Sequence, residues 1–193
     1  MRDDTAINDF LLGVIASEGC FYVSVSERGD YKTGIRAHAG FTLNMAVRDA
    51  WLVREVYDIL AVGSCRDVQF DKEAVSDQTR LHIQAIDDLL EFRDAIDESF
   101  DSAHPFTNTS KYRAYEIWSD VLDIIAAGNH TERDKIVEIL DKRDNMPNTG
   151  GSRLSRDEVK TTMDKKEEED RRPDSKVKEV VDDIITPPTM GEE

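Results

Sequence analysis

Cysteine is nearly absent. Cys20 and Cys65 are the only two, and without metal-ligand spacing they build neither a disulfide framework nor a thiolate metal site. Both are expected as small buried or half-buried thiols. Long apolar runs are missing as well: nothing approaches the roughly 18 uncharged residues of a membrane helix. The opening "MRDDTAINDF" also lacks the basic and apolar regions of a secretion signal. A soluble, cytoplasmic protein with no membrane partner is expected.

Positive charge is the larger deficit, with 25 Lys and Arg against 41 Asp and Glu for a net charge of −16. Residues 1–142 hold 15 basic and 27 acidic residues, a net −12, so the acidity belongs to the part that folds. Of those acids 18 are Asp, and of those bases 10 are Arg, which leaves five lysines. A surface of short carboxylates and few lysines is that of a halophile's cytoplasmic protein. Net acidity ordinarily argues against nucleic acid, because phosphates need cations. In molar salt, however, the Debye length falls to about 3 Å. Local cations then decide, and DNA remains admissible.

What is present is enough for one core: 193 residues, 39% apolar. Ile7, Phe10, Leu11, Val14 and Ile15 recur at helical spacing over Ala6 to Ser17, and Gly19 stands where that helix should stop. The period then changes to two. Phe21, Val23 and Val25 alternate with Tyr22, Ser24 and Ser26; after the turn "ERGDYKTG", Ile35, Ala37, Ala39, Phe41 and Leu43 alternate with Arg36, His38, Thr42 and Asn44. This spacing predicts a hairpin with one buried face. "VRDAWLVREVYDIL" predicts a helix burying Trp51, Leu52, Val56 and Leu60. "GSCRDVQF" and "TRLHIQAI" predict a second strand pair, the first of unclear facing, the second with Leu81, Ile83 and Ala85 inward. Asp87 is placed to cap a third helix running to Ile96. "SKYRAYEIWSDVLDIIAAG" and "ERDKIVEILDKR" predict two more helices. The expectation is an α+β domain over residues 1–143, in the order αββαββα with C-terminal helices. Residues 144–193, charge-dense around "KKEEEDRRPDSK", are expected to be a disordered tail with at most a transient helix at "KVKEVVDDII".

One residue resists this pattern. Positions 7, 11, 14/15 and 18 share a helix face, so Glu18 continues an apolar stripe. It also falls at the negative end of the helix dipole, a penalty of a few tenths to about 1 kcal/mol. A divalent cation with oxygen ligands would relieve both problems, and so would a Glu18 turned outward into water.

"LLGVIASEG", Leu11 to Gly19, resembles the signature of the LAGLIDADG family of homing endonucleases, with Leu11, Gly13, Ile15 and Gly19 identical and an acid at the eighth position. "EGCFYVSV", "FTLNMAVRD", the Gly-containing start of the second hairpin and "TSKYRAYEIW" agree with the same family, so the resemblance covers roughly residues 5 to 142. It implies the homing-endonuclease fold with a concave antiparallel sheet for double-stranded DNA. Because one signature copy is present, it implies a homodimer packed through Leu12, Gly13 and Ser17. It implies that Glu18 binds Mg2+ or Mn2+ for phosphodiester hydrolysis and that Lys111 is the active-site lysine. The DNA-contacting residues it implies are Tyr22, Ser24, Arg28, Lys32, Arg36, His38, Thr42, Arg80, His82 and Gln84. Residues 20–46, with three bases and two acids, escape the acid bias.

The sequence departs from the signature at Leu12 and Ala16. Met45 stands where members often carry a water-holding glutamine, a role that Asn44 beside it could take over. The function expected is a site-specific double-strand endonuclease of intron or intein homing. The alternative is a non-cutting nucleic-acid-binding protein on the same fold, a maturase with intron RNA as partner or a regulator, which Met45 favours. An acidic protein-interaction domain is a third reading, opposed by the cationic strands.

Overall fold

The computed structural model describes residues 7–69, 77–147 and 154–171. Helix α1 (Asp9–Glu18) opens with Asn8 as its cap, whose Oδ1 accepts the Leu11 N–H at 2.9 Å. It passes directly into β1 (Gly19–Glu27), which pairs antiparallel with β2 (Ile35–Ala46) across a seven-residue turn closed by Gly34 at φ +71°. A short 3-10 turn (Val47–Asp49) leads to α2 (Ala50–Leu60), followed by β3 (Ser64–Val68), β4 (Gln78–Ile83) and α3 (Ile86–Asp97). Then come α4 (Ser110–Ala126), α5 (Arg133–Asp144) and α6 (Arg156–Arg171). The four strands form one antiparallel sheet in the order β1-β2-β4-β3. The helix and strand order expected from the alternating periods is therefore observed.

The helices cover one face of the sheet, as a two-layer α+β arrangement requires. Phe21 and Phe41 of the sheet meet Phe92 of α3 and Trp118 of α4, with ring centroids 4.5 Å apart for Phe41–Phe92 and 5.2 Å for Phe21–Trp118. Such aromatic contacts bury Trp118, Phe41 and Phe92, among the largest fully buried side chains, at the centre. Tyr115 joins them and donates its hydroxyl to Asp97 Oδ1 at 2.6 Å; burial and that carboxylate push its pKa strongly up.

Four expectations are corrected. Phe10 and Trp51 are 59% and 60% exposed, because α1 buries Leu12 instead of Phe10, and α2 buries Ala50 and Val53 instead of Trp51. Cys20 lies on the exposed face of β1, while Cys65 is half-buried as expected. Asp87 sits inside the first turn of α3, whose cap position is Ala85. The charged segment read as tail contains α6, which buries Val159 and Met163. Its polar side is tied down as well: Arg133 pairs with Asp164 at 2.5 Å and Glu167 at 2.9 Å, and Thr162 donates to Glu27 at 2.6 Å. The helix anticipated at 176–185 lies outside the described residues.

Because α6 carries core residues, Met163→Ala should lower unfolding free energy by about 2–5 kcal/mol in urea titration. A loss within about 0.5 kcal/mol, typical of a surface position, would mean that α6 does not contribute to the core.

Candidate nucleic-acid interface and catalytic centre

Alternation along four paired strands gives the sheet a second face that no helix covers. The registers align its residues in rows: Ser24 with His38, Cys20 with Thr42, His82 and Ser64, and Asn44 with Arg80 and Arg66. Ser26 with Arg36 and Tyr22 with Gly40 complete it along the first hairpin. Among the described strand residues of that face none is Asp or Glu, in a chain with 41 of them. Three arginines stand there instead. Tyr22, Ser24, Arg36, His38, Thr42, Arg80 and His82 thus share the face expected of them, and Gln84 lies just beyond the end of β4. Arg28 and Lys32 do not: both occupy the β1–β2 turn, at the tip of the hairpin. Arg66 was missed, since β3 is exposed on both sides and its pattern reveals no facing; only the register against Arg80 assigns it.

The face is held in place before any ligand arrives. Gly40 lets the Tyr22 ring lie flat across β2, where a Cβ would come within 2.3 Å of its hydroxyl end. The ring thereby reaches β4. Tyr22 Oη lies 2.8 Å from His82 Nε2 and accepts from Gln84 Nε2 at 3.2 Å. Ser24 Oγ lies 2.7 Å from His38 Nδ1, and Arg80 Nε donates to Asn44 Oδ1 at 2.7 Å. Burial first, and then neighbouring arginines, lower the pKa of both imidazoles: Arg36 acts on His38, and Arg80 and Arg66 act on His82. Burial raises the Tyr22 phenol.

At one end of this face α1 terminates. Glu18 is its last residue and is exposed, so the side chain is turned out of the apolar stripe. Gly19 follows because nothing larger fits: a Cβ there would meet the Ile15 carbonyl at 2.5 Å and the Phe41 ring at 2.8 Å. Its carbonyl accepts a hydrogen bond from Lys111 Nζ, at the first turn of α4. One carboxylate and one ammonium, 93 residues apart in sequence, are thereby brought to the same helix end. Gly19 pairs with Leu43, which puts Asn44 beside this junction on the open face. Met45 has the opposite parity and packs half-buried against the core, across from Thr79.

Of the three residues expected at a dimer contact, Leu12 is 1% exposed within its own chain and has no surface to offer a second one. Gly13 and Ser17 are exposed on the outer side of α1, with Phe10 one turn before them. Ser17 turns its hydroxyl back to the Val14 carbonyl at 3.2 Å, so that side stays small. Among the described residues no group of three or more His, Cys, Asp or Glu could hold a metal ion within one chain.

No family model and no curated protein matches the chain. Solved structures do. The homing endonuclease I-TnaI is 23% identical, with a TM-score of 0.65 over 82% of this chain and 96% of that one. The archaeal intron-encoded homing endonuclease I-Vdi141I, complexed with DNA, is 15% identical with a TM-score of 0.68, covering 82% and 94%. The LAGLIDADG homing endonuclease I-SmaMI, bound to cleaved DNA, is 21% identical with a TM-score of 0.63, covering 80% of this chain and 47% of that one. The fold is thus that of the LAGLIDADG homing endonucleases.

Neutral, partly buried His38 and His82 make a prediction about stability. Their folded pKa values lie below the ordinary 6.5, so protonation opposes folding. Their contribution is present above that value and is lost as pH falls through it. Urea unfolding between about pH 7 and 5 should show a decline that His38→Gln/His82→Gln removes in part; an unchanged slope would count against the two imidazoles as its source.

Proposed function

We propose that this chain is a site-specific double-strand DNA endonuclease of the LAGLIDADG kind, cutting with the help of a divalent metal. The observation that carries it is the meeting of Glu18 and Lys111 at the end of α1, on the margin of a carboxylate-free, arginine-bearing sheet face. A lysine docked at the negative end of a helix offsets charge that would otherwise repel a phosphate. Strand-borne Arg, His, Tyr, Thr and Gln side chains supply the donors and acceptors that read base edges in a major groove.

The chain acts as a homodimer. Its length matches I-TnaI almost whole and about half of I-SmaMI, which supports one catalytic half per chain. The exposed Gly13, Ser17 and Phe10 supply a close-packing outer side of α1, and the twofold axis then calls for a near-palindromic target. Mg2+ or Mn2+ would be held by Glu18 of each of two chains: an exposed carboxylate without a partner among the described residues fits a shared ion better than a closed site. When bound, the ion supplies water activation and charge stabilisation at the leaving oxygen. Lys111 holds a positive charge beside the phosphate, and Asn44, fixed by Arg80, orients groups between the centre and the base-reading rows.

Association with intron or intein homing, and a halophilic cytoplasm, complete the reading. The acidic surface and the carboxylate-free, arginine-bearing face divide the molecule as high salt allows. A second reading is favoured by Met45, whose thioether packs toward the core and holds no water. On it the chain grips DNA or intron RNA, as a regulator or maturase, without cutting.

Glu18→Gln distinguishes the two. On DNA that joins the sequences flanking the coding region, the wild-type chain with magnesium in high potassium is expected to cut, and EDTA to stop it. The variant should bind that DNA and leave it intact; retained cutting would remove Glu18 from the chemistry, and a wild type that binds without cutting would establish the second reading. Arg66→Ala should weaken binding and make the log K against log salt slope shallower by about 1. A slope identical to wild type would exclude Arg66 from the interface.

A further inference from the structure

The first hairpin outruns the sheet. Strand β4 pairs with β2 from Phe41 to Ala46, whereas β1 and β2 stay paired back to Glu27 and Ile35. Residues 22–27 and 35–40 thus form a two-stranded ribbon, a unit of marginal stability in water unless another element packs on it. Its tip is the turn 28–34, which exposes Arg28 and Lys32 with Asp30 between them. Backbone bonds close the turn: the Arg28 N–H donates to the Gly34 carbonyl at 2.8 Å, and the Gly34 N–H to the Tyr31 carbonyl at 2.8 Å.

Helix α6 meets this ribbon where the turn leaves each strand. On the β1 side, Glu27 follows Phe21, Val23 and Val25 on the helix-covered face, and its Oε1 accepts from Thr162 Oγ1 at 2.6 Å. On the β2 side, Gly34 is buried, and a Cβ there would stand 3.3 Å from Thr162 Cγ2 and 3.6 Å from Lys166 Cβ. One threonine therefore serves both ends of the turn, its hydroxyl bonded to one and its methyl close against the other. Val159 and Met163, on the same side of α6, are buried, while Arg133 of α5 holds the helix through Asp164 and Glu167. The helix is thus anchored apart from the ribbon, as a support must be. Beyond the two points of contact, a cavity of about 550 Å³ and of mixed charge opens between Lys32 and Thr33 of the turn and Met163 and Glu167 of the helix. The turn is gripped at its ends and open in the middle.

We infer, resting on the DNA-binding role proposed above, that Thr162 is a positioning residue: through Glu27 and Gly34 it sets the height of the β1–β2 tip beside the open face, so that Arg28 and Lys32 meet phosphates in the outer part of each half-site. The strands fix the distance. At about 3.3 Å per residue, the run from Gly19 to Glu27 spans roughly 26 Å, or about eight base pairs of duplex. The tip therefore acts far outside the Glu18 junction. The same hydrogen bond keeps the Glu27 carboxylate on the helix side, away from the phosphates that the neighbouring Arg28 approaches.

The test compares the full chain on two duplexes: one selected for binding from a randomised pool, and the same one trimmed of base pairs more than about seven from its centre. For the wild type, trimming should weaken binding and make the slope of log K against log salt shallower by about 2 per half-site. Thr162→Val keeps the shape without the donor and should lose part of that difference between duplexes. Thr162→Glu sets a second carboxylate against Glu27 and should lose most of it, whereas Thr162→Ser keeps the hydroxyl and should match the wild type. In an Arg28→Ala/Lys32→Ala background none of the three should change binding further, a silence that a folding defect or a mere change of net charge would break. Equal losses on both duplexes overturn the positioning role, as does a full trimming difference in both the Val and the Glu variants, or a wild type indifferent to trimming. Those outcomes leave DNA binding intact. Failure to select any bound duplex overturns the DNA-binding role, and this inference with it.

Discussion

Helix α1 becomes strand β1 without an intervening residue, and much of the molecule follows from that junction. Glu18 ends the helix and Gly19 begins the strand, so the position of the helix end relative to the sheet is set by backbone pairing and not by a loop. The glycine is required by contact on two sides, the Ile15 carbonyl and the Phe41 ring. The same residue lends its carbonyl to Lys111. One crowded backbone position thereby ties together the carboxylate, the ammonium and the edge of the open face.

Charge is distributed with corresponding economy. Carboxylates crowd the helices and turns, where water and salt screen them, and they are missing from the described strand positions of the open face. Two acids on the strands themselves are engaged: Asp67 accepts from Arg54 and Thr79 on the helix side, and Glu27 accepts from Thr162 of α6. The net charge of the whole chain therefore says little about the potential that a ligand on the sheet would meet.

Legibility in the sequence followed the strength of each periodic signal. Phe21, Val23 and Val25, or Leu81 and Ile83, announced their strands because one side of each is buried and the other is not. Phe10 and Trp51 misled because a helix with apolar residues on adjacent positions leaves two possible buried stripes, and only packing against the sheet chooses between them. The five residues of β3 had no contrast to read, which concealed Arg66. Helix α6 was hidden by composition: two buried residues, Val159 and Met163, anchor 16 residues that are otherwise polar or charged. Glu18 stood out by its misfit alone, whereas Lys111 was singled out by resemblance; no local pattern joins residues so far apart in the chain.

The hydrogen bonds already made across the open face have a consequence for anyone wishing to alter it. Tyr22, His82 and Gln84 form one linked set, Ser24 and His38 another, Asn44 and Arg80 a third. Substituting one member leaves its companion without a partner, so single replacements mix two effects and their energies will not add. Libraries built on this scaffold should vary each linked set together, with Gly40 kept fixed as the floor on which the tyrosine lies.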